Sequence, residues 1–121
     1  MESEDHLVRD YVYLSGPITG VDNWQEPFNH AAEFIRRVAP ELHVISPVVL
    51  DAELERWMAP NPPSREDYMR FDLNTMLDLC DHIVMLPGWQ GSRGATIERL
   101  VAKACGLTVW YSVEDLLHAN I

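Results

Sequence analysis

His82-Ile83-Val84-Met85-Leu86 runs into Pro87-Gly88-Trp89-Gln90-Gly91-Ser92-Arg93-Gly94 and on into Ala95-Thr96-Ile97-Glu98. The first five residues are an apolar run of strand length, stopped by Pro87-Gly88. The loop that follows carries three glycines, Gly88, Gly91 and Gly94, which let a ligand approach the backbone. It opens a helix predicted over residues 93–105, with Gly106 just past its end. Free N–H groups at the start of that helix attract an anion, and Glu98 sits about one turn in. A strand, a glycine loop and a helix in this order belong to a parallel β-α-β unit.

The same pattern extends in both directions. Val12-Tyr13-Leu14 reads as a buried strand ended by Ser15-Gly16-Pro17 and Thr19-Gly20. Residues 24–38 have helical spacing, with Phe28, Ala31, Ala32, Ile35 and Val38 on one side. His43-Val44-Ile45 is a second strand ended by Ser46-Pro47, and residues 48–58 form one or two helical turns. Residues 59–63, Ala-Pro-Asn-Pro-Pro, read as a rigid extended linker. Ser64 with Asp67 forms a capping box for a helix to about Leu79 or Cys80. Residues 107–110 are a fourth strand, and Ser112 with Asp115 caps a short last helix.

This alternation predicts a single-domain, three-layer α/β/α fold of Rossmann or flavodoxin type, with a short, mostly parallel sheet and right-handed crossovers. The domain is expected over residues 1–121, with residues 1–9 as a flexible lead-in. Ligands bind such sheets beyond the C-terminal strand ends. Residues 15–20, Ser46-Pro47 and residues 87–94 meet that condition together.

Hydrophobic residues make up 47% of the 121, enough for an ordinary core. The net charge of -10 argues against broad contact with duplex nucleic acid or an anionic membrane. No apolar run approaches membrane-spanning length, and the acidic start Met1-Glu2-Ser3-Glu4-Asp5-His6 is no signal peptide. Cys80 and Cys105 lie in apolar-patterned helices, which predicts buried, reduced thiols and a cytoplasmic protein. No Cys/His cluster has metal spacing, and no cofactor is expected.

Glu98 is expected at the border of a buried arc formed by Ile97, Leu100, Val101, Ala104 and Cys105. No cation stands three or four residues from it, and its small neighbours leave room above it. It is either a nucleophile or a first-turn residue that favours the helix dipole. Asp72 falls on the apolar side of its helix with Tyr68, Met69, Leu73, Met76, Leu79 and Cys80. A carboxylate there costs roughly 2–5 kcal/mol unless it is paired or shifts its pKa. It is either a site residue or a buried loop cap. Tyr13 ends its strand beside Gly16, as core or with its hydroxyl in the pocket. Ser92 and Arg93 place a hydroxyl and a guanidinium where a phosphate can sit, or form an N-cap and a solvated charge. Trp89 projects from a polar loop as a stacking platform or a subunit contact. His30, His43 and His82 read as ordinary histidines and Asp81 as a turn residue.

Four pieces, in order, resemble the nucleoside 2-deoxyribosyltransferase superfamily, including its nucleotide N-hydrolase branch and small phage and bacterial members. They are Tyr13-Leu14-Ser15-Gly16, Arg70-Phe71-Asp72-Leu73, residues 81–86 and Ser92-Arg93-Gly94-Ala95-Thr96-Ile97-Glu98. The resemblance spans about residues 11–111 and implies roles. Glu98 would attack the anomeric carbon of a 2-deoxyribosyl group, Asp72 would protonate the departing base, and Tyr13 would orient the nucleophile. The 2′-deoxy sugar is favoured because its carbocation-like transition state is less destabilised.

Substrate-binding positions implied by the loops and the resemblance are Ser15, Gly16, Thr19, Gly20, Ser46, Pro47, Trp89, Gly91, Ser92, Arg93 and Gly94. The nucleoside transferases carry an aspartate where this chain has Ser92, as the monophosphate hydrolases do. A serine donates to a phosphate that an aspartate would repel. The hydrolases carry an arginine where this chain has Thr19, which leaves Arg93 as a substitute. The expected activity is therefore hydrolysis of a 2′-deoxynucleoside 5′-monophosphate at its N-glycosidic bond. The alternatives are base exchange between nucleosides, a non-catalytic protein that binds a nucleotide or nucleotide-derived signal, and a structural subunit with a vestigial pocket. The expected partners are a small nucleotide or nucleoside and further copies of the chain. Sites bordering a neighbour are implied by the resemblance, and Trp24, Trp57 and Trp89 fall in segments expected to be exposed. A homodimer or larger homo-oligomer follows.

Overall fold

In chain order the elements are β1 (Tyr11–Ser15), α1 (Gln25–Val38), β2 (His43–Ile45), α2 (Pro47–Met58), α3 (Arg65–Leu79), β3 (His82–Met85), α4 (Arg93–Ala104), β4 (Thr108–Trp110) and α5 (Val113–Ala119). The structure is a computed structural model that describes residues 10–119. The expectation for residues 1–9 lies outside these. All strands are parallel, in the order β2-β1-β3-β4.

Side chains alternate across β1, and this alternation separates two cores. Val12 and Leu14, with Val84 and Leu86, pack on Phe28, Ala31, Ala32 and Ile35 of α1 and on Leu116 and Leu117 of α5. Tyr13, with Ile83 and Met85, packs on Leu50 of α2, Met76 of α3, and Ala95 and Ala102 of α4. The fold is thus α/β/α in three layers. The chain leaves β1 toward β2 on one side and β3 toward β4 on the other. Ser15 and Leu86 therefore mark the switch point, where such sheets bind ligands.

Several local signals act as read. Ser64 and Asp67 form the reciprocal capping box, Ser112 caps α5, and Gly106 takes a φ of 89° after α4. Others differ. Residues 47–58 form one unbroken helix, because Ser46 accepts a hydrogen bond from the Val48 N–H and Pro47 fits the first helical position. Residues 59–61 turn back tightly, through a cis Ala59–Pro60 bond and the Asn61 N–H donating to the Met58 carbonyl, so this is no extended linker. Val38, expected on the buried side of α1, is 48% exposed. Trp24 packs edge-on against Phe28, and of the tryptophans expected outside only Trp57 is largely exposed, at 81%. Cys80 is buried, and burial pushes its thiol up to about 12, whereas Cys105 is free and exposed. No helix among the described residues is long and apolar enough to cross a membrane.

Gly16 sets the closeness of the switch point. A Cβ there would lie 3.1 Å from Leu86 Cβ and 3.4 Å from Phe28 Cζ. Gly16→Ala is expected to lower stability by about 1–3 kcal/mol through overpacking. Gly91→Ala, which faces open space, is expected to change little. Urea unfolding of both variants checks this, and equal midpoints would contradict it.

Candidate active site

Tyr13 and Ser15 are two residues apart on β1 and share the face that α4 covers. The Tyr13 hydroxyl donates to Glu98 Oε2 at 2.8 Å, and the Ser15 hydroxyl donates to Oε1 at 2.6 Å. Glu98 reaches them because α4 turns Ala95, Glu98 and Ala102 toward the sheet. The expected border position is thus corrected. Glu98 lies in the middle of the buried face, while Leu100 is 54% exposed and Ala104 and Cys105 are exposed. The small Ala95 and Ala102 let the helix come close enough for a carboxylate, with no bulkier apolar side chain, to fill the gap.

Asp72 and Met76 are the buried residues of α3, so Asp72 is on the covered face as its spacing indicated. Asp51 of α2, which the sequence reading passed over, is buried with it. The two carboxyls are within hydrogen-bonding reach of each other. Neither Oδ1 accepts a bond from any N–H or O–H among the described residues. Asp51 had a signal: Pro47, Leu50, Asp51 and Leu54 follow helical spacing once Ser46-Pro47 is read as a helix start.

Electrostatics bind these groups into one cluster. Burial raises the Glu98 carboxyl to about 7, against the Ser15 and Tyr13 hydroxyls, which favour its ionised form. Burial raises Asp72 well above the usual carboxylate range, and Asp51 and Glu98 raise it further. Asp51 is also raised by burial, but to a lesser extent, because a hydrogen bond with Asp72 favours its charged form. Burial and then the Glu98 charge push the Tyr13 phenol well up, so it stays a donor. Near neutral pH the cluster therefore holds an ionisable carboxylate, a protonated carboxyl and fixed hydroxyl donors within one buried face. That set suits nucleophilic and acid–base chemistry. Among the described residues no group of three or more His, Cys, Asp or Glu side chains is placed to hold a metal ion.

The loop positions have structural duties that account for much of their sequence. Ser92 caps α4 by accepting from the Ala95 N–H at 3.2 Å, and its O–H remains free to donate. Gly88 adopts a φ of 88°, which a side chain would strain. Gly91 and Arg93 are exposed, as are Thr19 and Gly20 in their turn, while a Cβ on Gly94 would only touch Met69. Trp89 is half-buried, with the Arg99 guanidinium 5.4 Å over its ring and Tyr111 at 5.9 Å, so it is no free platform. Ser46 and Pro47 start α2. Among the described residues, none of Thr19, Ser46, Ser92 or Arg93 hydrogen-bonds to the carboxyl cluster. A cleft of about 500 Å³ lies between α1, the loop after β3 and the start of α5, and neither Glu98 nor Asp72 lines it.

The family profile described as a domain of unknown function (DUF4406) matches residues 10–111. The chain belongs to this family. The match runs from the residue before β1 to the residue after β4, so the DUF4406 region contains the whole sheet and every carboxyl of the cluster. No curated protein and no solved structure gives a significant match to the chain.

Glu98 also makes stability depend on pH. Its carboxyl rises from an ordinary 4.5 to about 7 on folding, so the folded state binds this proton more tightly. The stabilisation is full below 4.5 and is lost as pH rises through about 7. Glu98→Gln removes the titration. Between those limits the wild type is expected to lose on the order of 3 kcal/mol relative to the variant. Urea unfolding across the range reads this difference, and parallel pH profiles would contradict it.

Proposed function

We propose that the protein hydrolyses the N-glycosidic bond of a 2′-deoxynucleoside 5′-monophosphate through a covalent glycosyl-Glu98 intermediate. The observation that carries this reading is the buried Glu98 carboxyl held by two hydroxyl donors at 2.8 and 2.6 Å, with a second buried carboxyl, Asp72 of α3, whose proton affinity is raised by burial. A nucleophilic carboxylate and a separate acid are the two groups a retaining glycosidase needs. The likeness to the nucleoside 2-deoxyribosyltransferase superfamily at Tyr13, Asp72, Ser92 and Glu98 supports the same roles.

In the first step a Glu98 oxygen bonds to C1′ as the C1′–N bond breaks. The bond electrons go to the base, which takes the Asp72 proton. In the second step a water oxygen bonds to C1′, the ester opens, and the electrons return to Glu98 while Asp72 accepts the water proton. The products are free base and 2-deoxyribose 5-phosphate, and the chemistry needs no cofactor. Tyr13 and Ser15 fix the nucleophile's orientation and lower the cost of its charge. Ser92 lies six residues before Glu98, about 9 Å along the helix axis, a span matched by one pentose phosphate. Its free O–H and the nearby Arg93 supply donors for the phosphate.

The nearly complete exposure of Trp57, with Val49 at 61%, supports a homodimer or larger assembly. The free thiols support a reducing compartment such as the cytoplasm. The charge of -10 argues against duplex nucleic acid as the ligand and is compatible with a small nucleotide held by local donors.

Chromatography of base released from deoxy- and ribonucleosides and their 5′-monophosphates tests the proposal. Glu98→Ala is expected to lower release at least about 1,000-fold while remaining folded. Retained release would remove Glu98 from the mechanism. Release only with an added acceptor base, giving a new nucleoside, would make the reaction an exchange. No release under either condition, with intact nucleotide retained, would indicate a binding protein.

The rate is expected to rise with pH through about 7 as Glu98 ionises, and to fall at alkaline pH as Asp72 loses its proton. A flat profile contradicts this assignment. Ser92→Asp should lower use of the monophosphate relative to the nucleoside about tenfold or more. An unchanged ratio would take Ser92 off the phosphate.

A further inference from the structure

Asp51 has no part in the roles above, yet it is 8% exposed and faces Asp72, which is 5% exposed. Both Oδ1 atoms are buried without a donor from any other described residue. Two such carboxylates cannot both be ionised in contact, and a single hydrogen between them satisfies both. The titratable groups facing Asp51 are Asp72 and Tyr68 of α3, Glu98 of α4, Tyr13 of β1 and Glu55 on its own helix. All of these carry negative charge or none. A bound proton is therefore what compensates the pair.

We propose that Asp51 is a positioning residue that keeps the acid proton on Asp72, the Asp72 O–H donating to the Asp51 carboxylate across the α2–α3 contact. The inference rests on the reading of Asp72 as the acid. When the Asp72 proton passes to the departing base nitrogen, the pair is left with two adjacent charges in a buried site. That repulsion makes Asp72 a strong base for the next step, in which it takes a proton from the attacking water. The pair ends the cycle as it began, with one proton and one charge. Asp51 itself touches neither sugar nor base. It acts by setting when Asp72 gives its proton up and takes one back.

The structure also accounts for why Asp51 has this position. Ser46 and Pro47 start α2 so that Leu50, Asp51 and Leu54 face inward. The Tyr68 hydroxyl donates to Glu55 Oε2 at 2.7 Å, which ties α2 to α3 one turn away from the pair.

Two readouts test the proposal. The first is the infrared carbonyl band of a protonated carboxylic acid, recorded at about pH 8, where Glu98 is largely ionised. The band is expected in the wild type, absent in Asp72→Asn, and weaker at this pH in Asp51→Asn, which removes the neighbouring charge that raises Asp72.

The second readout is base release from two substrates, a 2′-deoxyguanosine monophosphate and its N7-methyl derivative. The methylated base leaves as a neutral molecule and needs no proton. Asp51→Asn is expected to lower release of guanine about 10- to 100-fold, and to lower release of N7-methylguanine at least about tenfold less. Its alkaline limb should move to lower pH. A band of undiminished strength in Asp51→Asn, or equal losses on the two substrates, overturns the proposal. A band that behaves as expected across wild type and variants, none of which releases base, supports the shared proton and overturns the hydrolysis proposed above.

Discussion

The rest of this site depends on one buried carboxylate and the two hydroxyls that hold it. Taking a glutamate out of water costs several kcal/mol unless hydrogen bonds compensate, and Tyr13 and Ser15 provide two of them to Glu98. Those bonds require both hydroxyls on one face of β1, which strand alternation supplies. They require α4 to lie close to that face, which Ala95 and Ala102 permit. They also require a tight junction where β1 and β3 end, which Gly16 permits by having no side chain between Leu86 and Phe28. The placement of Glu98 and the packing of the core are therefore the same set of contacts.

Most of the fold could be read from short-range signals. The apolar runs before Ser15 and Pro87, the Ser64–Asp67 box and Gly106 each name a strand end or a helix end by local chemistry. The α2 helix was harder, because the segment after Ser46 mixes β-branched Val48 and Val49 with charges, and only its cap shows where it begins. The face of α4 was misjudged because periodicity assigns burial to apolar residues. Here an ion fills the centre and Leu100 points out, a reversal that only tertiary contacts reveal. Asp72 could be found since an acid among Met69, Leu73 and Met76 stands out. The burial of its neighbour Asp51 follows from helical spacing only once Ser46-Pro47 is read as a helix start, and its pairing with Asp72 depends on how α2 and α3 meet. The surroundings of Trp89 were likewise hidden, because the approach of Arg99 and Tyr111 to its ring depends on tertiary packing.

The carboxyls share a burial that raises all three, yet their partners separate them. Glu98 has hydroxyl donors, which favour its charge, and Asp72 has acids nearby, which disfavour its own. Different proton affinities for like groups follow from those environments. The match to DUF4406 over residues 10–111 places this whole arrangement within the family region. Glu98, Asp72 and Asp51 are then the positions at which other members can be compared for the same chemistry.

Mass spectrometry of the protein after reaction with a 2-fluoro-2-deoxy-arabinosyl nucleoside 5′-monophosphate tests the central claim most directly. The fluorine slows loss of the sugar from a glycosyl-enzyme by destabilising its carbocation-like transition state. The account predicts a mass increase of one fluorinated pentose phosphate, released base in equal amount, and the adduct mapped to the peptide containing Glu98. Base release without any adduct, or an adduct on another residue, would contradict it.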